Sequence, residues 1–244
     1  MHVDISSISK THSLNFRLNL ILSSSAVVLV FISVVINLLA APTEIVEEVG
    51  VKTFRMFTVL SNMFVGVTAA MSLPFAVDGI RQRNYHLPRW IVNLTFSSAS
   101  CITLTFLVAL TILSPRAGFA KMMLNGSNLL SHTVVPVISI VLFLFVNSYH
   151  TVKFKTTFFA VSPVLIYAAV YLVSAIIIGE ENGGWRDHYR FEELMPWYWA
   201  LLLMLLCHSE LLAFCECCII LCIAKISWQP SATIRPQKSM IFRP

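Results

Sequence analysis

Two polar side chains inside otherwise apolar runs define the chemistry this chain could perform: Thr58 in "FRMFTVLSNMFVGVTAAMSLPFAV" and His132 in "NLLSHTVVPVISIVLFLFVNSYH". A hydroxyl beside an imidazole is the minimum equipment of an activated nucleophile. The imidazole takes the hydroxyl proton as the oxygen attacks an acyl carbonyl, then returns it to the leaving group. Arg55, Ser61 and Asn62 fall within roughly 60° of Thr58 at ~100° per helical residue, so they share its face. They could orient the histidine or hold a developing oxyanion. Gly66, Ala69 and Ser72 continue the stripe, and Met56, Leu60, Met63, Phe64 and Met71 occupy the other side. The small and polar face should turn inward, because lipid offers no hydrogen-bond partners and small residues let helices approach. Around His132, the residues Asn128, Pro136, Ser139 and Asn147 form a second such stripe.

A plainer reading stands beside this one. Threonine in a membrane helix commonly bonds its own backbone, and a lone interior histidine commonly packs. The sequence holds no Gly-x-Ser-x-Gly turn, HExxH pair or P-loop.

The elements that must position these groups follow from composition. Of 244 residues, 57% are apolar and 12% charged, against about 25% charged in a soluble domain. Mean hydropathy is +0.78. Runs of ~20 apolar residues, enough to cross ~30 Å of hydrocarbon as helix, recur along the chain, whereas the alternation of a β-barrel does not. The expectation is an all-α bundle of six transmembrane helices over 18–224: 18–41, 54–77, 90–113, 129–149, 158–178 and 197–224. Tails of 1–17 and 225–244 flank it. The first span lies too far in to read as a removable signal peptide and is kept as an anchor.

Basic residues orient the bundle. Lys10, Arg17, Arg81, Arg83, Arg89, Lys153, Lys155 and the basic tail fall in one set of connections, which puts both termini in the cytoplasm. "PTEIVEEVG" and "GEENGGWRDHYRFEELMP" carry the acids and should face out. On this topology the second and fourth spans both run inward, so Thr58 and His132 lie at a similar depth, roughly 5 Å into the outer leaflet. The net charge of +5 then reflects topology and anionic headgroups, with no pattern for nucleic acid and the cell membrane as location. The "NGS" sequon at Asn125 falls in an outer connection.

Other intramembrane polar groups suggest alternatives. His208 and Glu210 lie near mid-depth of the sixth span, where an ionisable side chain is costly, and could serve a non-enzymatic carrier or sensor of a small solute or lipid. A purely structural, helix-packing role is the third reading. Tyr167, Tyr171 and Ser174 line one face of the fifth span as hydrogen-bonding groups, and the hydroxyl-rich third span reads as a close-packing helix. Cys215, Cys217, Cys218 and Cys222 crowd the last span, but "CECC" lacks the paired spacing of a zinc site, so no metal or other cofactor is required.

Several motifs resemble the androgen-induced membrane protein family and its prokaryotic relatives: "FTVLSN", "TFLVALTILSP", "LLSHTVVPVISIVLF", "SPVLIYAAVYL" and "GWRDHYRF", spread over residues 54–191. "FTVLSN" and "GWRDHYRF" look closer to its microbial branch. The resemblance implies a six-pass threonine hydrolase of fatty acid esters of hydroxy fatty acids, with Thr58 as nucleophile and His132 as its partner. Its partners would be membrane lipids and a hydrophobic ester.

Overall fold

The structure is a computed structural model that describes residues 5–41, 49–82, 87–147, 154–187 and 189. The sixth expected span, with Cys207, His208, Glu210 and the cysteine cluster, lies outside the described residues, as does the basic tail. Every regular element among the described residues is helical, and none is a strand.

Helix α1 spans Ile5–Leu39, so it begins within the stretch read from sequence as a tail. Nothing in "ISSISKTHSLN" breaks a helix, since it holds no proline or glycine. A 3-10 turn, Gly50–Arg55, leads to α2 at Phe57–Gln82. Helix α3 runs Arg89–Ala117. Pro115 does not break it, because the wide π-type turns over Ala109–Leu113 that precede it accommodate its missing N–H. Gly118, at φ 93°, ends it with a backbone turn that a side chain would strain. Helix α4 is the short Phe119–Met123. Helix α5 starts at Gly126–Asn128, widens into π-type turns over Leu129–Val134, returns to α-helix over Val135–Val141 and widens again over Leu142–Asn147. Helix α6 comprises Phe154–Tyr171 and π-type turns over Leu172–Ile178.

Five of these helices are long and apolar enough to cross a membrane, and the chain is a multi-pass membrane protein. Phe31, Phe158, Ile166 and Ile177 are well exposed, a surface suited to hydrocarbon rather than water. Helix α3 is the most buried of the five and packs against α2, α5 and α6, while α1 lies along α2.

The contacts explain the small, polar stripes. A Cβ on Gly66 would sit 3.0 Å from Val30 Cγ1, so glycine lets α1 and α2 close on each other. Ala26, Val30, Val65, Ala69, Ile102 and Val135 form the core where α1, α2, α3 and α5 meet. Hydroxyls stitch the helices at several levels: Ser23 to Ser72 at 3.0 Å, Thr68 to Ser98 at 2.9 Å and Ser61 to Thr105 at 2.9 Å. Each such bond contributes on average about 0.6 kcal/mol in a membrane.

Candidate active site

Thr58 is the second residue of α2, and its position depends on the residue before the helix. Met56 is extended, at φ −86° and ψ 130°, between the 3-10 turn and α2. The first N–H groups of a helix have no intrahelical acceptor and carry the positive end of its dipole. Here the Phe57 N–H donates to the Tyr189 hydroxyl at 2.9 Å, so a side chain from the segment after α6 caps the helix that carries Thr58.

His132 lies in the first wide-turn segment of α5 and is buried. Pro136 has no N–H to offer the His132 carbonyl four residues back, and a local wide turn is the usual accommodation. The imidazole Nδ1 is 3.0 Å from the Met122 carbonyl oxygen. That carbonyl lies in the last turn of α4, where carbonyls lack intrahelical donors; its neighbour, Met123, accepts the Thr133 hydroxyl at 2.7 Å. A carbonyl only accepts, so Nδ1 carries the ring proton and Nε2 of the neutral ring is a bare acceptor. Nε2 faces Thr58 Oγ1 at 3.4 Å. The hydroxyl can therefore donate to the imidazole, the direction of a nucleophile meeting its base, with the Tyr189 phenol as its other partner. The separation is long for such a bond, as is common before substrate binds.

The neighbours expected to assist separate into three positions. Asn62 donates from Nδ2 to the Thr58 carbonyl at 2.7 Å and to the Ser131 carbonyl at 3.1 Å, tying the first turn of α2 to the residue before His132. Both amide hydrogens thus go to carbonyls, leaving none for an oxyanion. Ser61 donates to the Thr58 carbonyl at 3.0 Å and meets Thr105 of α3, so it faces a helix contact. Arg55 does not share the face of Thr58. It precedes α2, and the extended Met56 breaks the helical phase on which that expectation rested. Its guanidinium lies 5.7 Å from the centre of the Trp185 ring, and its carbonyl accepts the Tyr167 hydroxyl at 2.8 Å.

Tyr189 is the residue that sequence reasoning missed. Its phenol lies among the Phe57 and Thr58 amides, the Thr58 hydroxyl and the Tyr167 hydroxyl. Part of the ring is exposed, but the hydroxyl is enclosed, and this burial raises its pKa despite the hydrogen bonds that pull it down. The segment is held by Trp185 N–H donating to the Ser174 carbonyl at 2.8 Å and by the Tyr171 hydroxyl donating to Asp187 at 2.5 Å. Tyr171 packs on Trp185 and Tyr189, with ring centres 6.4 and 5.3 Å apart. The available signal was the aromatic pair Tyr167 and Tyr171 facing outward loops rich in Trp and Tyr.

On the neighbouring face of α2, a cavity of about 420 Å³ lies between α2, α3 and α6, with Phe57 and Tyr167 at its outer end and Cys101 on its floor; Thr58 and His132 are not among its lining residues. Among the described residues no group of three or more His, Cys, Asp or Glu side chains could hold a metal. In comparisons with known proteins, no family model, curated protein or solved structure matches the chain.

Proposed function

We propose that the chain is an integral-membrane hydrolase of lipid esters, acting from the non-cytoplasmic leaflet of the cell membrane with both termini inside. One observation carries this reading: Thr58 Oγ1 faces Nε2 of His132, whose Nδ1 meets the Met122 carbonyl. A histidine that merely fills space needs neither the carbonyl that fixes its tautomer nor a hydroxyl aimed at its acceptor.

In the first step Thr58 Oγ1 forms a bond to the ester carbonyl carbon while its proton passes to His132 Nε2. The bond from that carbon to the alcohol oxygen then breaks, and His132 returns the proton to the departing alkoxide. Water attacks the Thr58 ester, giving its proton to His132, and releases the fatty acid as Thr58 is reprotonated. Asn62 acts as a positioning residue that keeps the two helices in register. The positive N-terminal end of α2, capped by Tyr189, favours the charge that develops next to Thr58. The motif resemblance to the androgen-induced membrane protein family points to the same pair and suggests esters of hydroxy fatty acids as substrates.

The test is hydrolysis of such esters by purified protein in lipid nanodiscs. Thr58→Ala should abolish turnover, and His132→Ala should lower it about 10²- to 10⁴-fold, with helical content and melting temperature retained. Turnover persisting in a well-folded Thr58→Ala variant would rule the reading out.

A further inference from the structure

At their outer ends α2 and α6 meet through Phe57 and Tyr167, whose ring centres are 5.0 Å apart. Below that contact, the two helices share no extended interface among the described residues; each packs on α3 instead. The cavity occupies the resulting cleft. Leu60 and Phe64 of α2 form one wall, Ile166 and Val170 of α6 the other, and Cys101 of α3 the floor. From Phe57 to Phe64 the cleft follows α2 for about 10 Å at ~1.5 Å per residue. Leu60, Ile166 and Val170 are 37%, 65% and 44% exposed, so the side away from α3 opens to the hydrocarbon.

We infer that this cleft holds the acyl chain of the ester attacked by Thr58, and that Cys101 sets how long a chain fits. The inference rests on the hydrolase reading and specifies how substrate reaches it. The geometry favours a chain over other occupants. The cleft runs parallel to helices that stand in the bilayer, as lipid chains do, so a chain enters sideways without leaving hydrocarbon. Its walls are aliphatic and aromatic, and its α2 side includes Phe57 and Ser61, which neighbour Thr58 in the first turns of α2, while Thr58 itself lies on the adjoining face. The volume lies within the ~300–1,000 Å³ of ligand pockets. A carbonyl at the head of such a chain has to pass Phe57 or Ser61 to reach the hydroxyl on the adjoining face, while the tail remains in an apolar environment.

Two variants and a probe test this. Cys101→Phe fills the floor, and Leu60→Trp narrows the lipid-facing opening at an exposed position that tolerates bulk. Relative kcat/KM for palmitoyl and butyryl p-nitrophenyl esters is the readout, because a change in folded fraction scales both substrates equally. Each variant should lower the palmitoyl-to-butyryl ratio about tenfold or more; an unchanged ratio in both overturns the inference. Independently of turnover, a palmitoyl ester carrying a diazirine on its chain should crosslink to Leu60, Cys101 or Ile166 in Thr58→Ala protein, competed by unlabelled palmitoyl ester. Crosslinks confined to α1 or α5, or left uncompeted as for bulk lipid, also overturn it. Competed crosslinks in the cleft with no hydrolysis of any ester by wild type would support the chain site and reject the hydrolase.

Discussion

The Thr58–His132 contact was legible because a histidine inside an apolar span is uncommon, and a hydroxyl at matched depth on a separate helix suggests contact before any coordinates are known. The supporting residues were less legible. Arg55 was read onto the face of Thr58 by counting turns, and a single extended residue, Met56, cancels that count. Tyr189 was invisible for a complementary reason: helical periodicity says nothing about where a loop side chain lands. Chemistry separates their roles. Thr58→Ser keeps the hydroxyl and should retain measurable esterase activity where Thr58→Ala does not. Asn62→Leu removes the bond that joins α2 to α5 at the Ser131 carbonyl together with the one back to the Thr58 carbonyl, and should lower kcat more than it raises KM, with about 1–3 kcal/mol lost in stability. The Tyr189 phenol gives a pH signature. Its folded pKa lies above the ordinary value of about 10, so its contribution is full below pH ~10 and declines as the pH rises above that towards the raised folded value. Melting temperatures followed into the alkaline range should fall more steeply for wild type than for Tyr189→Phe.

At the scale of elements, five membrane-crossing helices were readable, apart from the start of α1, because length and hydropathy dominate in lipid. Internal geometry was not. Helix α5 was read as a regular helix, yet it widens twice, and the first wide turn carries His132 over the carbonyls of α4. Pro136→Ala restores the N–H that His132's carbonyl lacks, favours a regular turn, and should turn the imidazole away from Thr58, lowering activity without unfolding the bundle. The inward small-residue stripe of α2 was readable, and Gly66 tests it: leucine there must displace Val30, so Gly66→Leu should lower the melting temperature by separating α1 from α2. The segment after α6 has its own close approach. A Cβ on Gly184 would collide with the Ser174 carbonyl oxygen. Gly184→Ala should therefore lift Trp185 and Tyr189 from the outer end of α2 and reduce turnover, read as lower kcat together with faster proteolysis of the 179–189 segment.

At the scale of the whole molecule, five described helices alternate across the bilayer and gather the connections near 49–56, 118–125 and 179–189 at one end, around Thr58 and His132. Glu180, Glu181 and Asp187 lie at this end and Arg81 and Arg89 at the other, and the proposed function places the Thr58 end outside. Cysteines introduced at the exposed positions Lys121 and Glu181 should react with a membrane-impermeant maleimide in intact cells, and one at Arg81 only after permeabilisation. Composition revealed the architecture because so apolar a chain has few alternatives; it could not reveal the chemistry, which depends on the separation of two atoms on different helices. The most direct measurement of that chemistry is mass spectrometry of protein quenched during turnover of an activated acyl ester. The expected result is an acyl adduct on the peptide containing Thr58, absent in Thr58→Ala and strongly reduced in His132→Ala. An adduct on another residue, or one that forms equally fast without His132, would contradict a threonine activated by that imidazole.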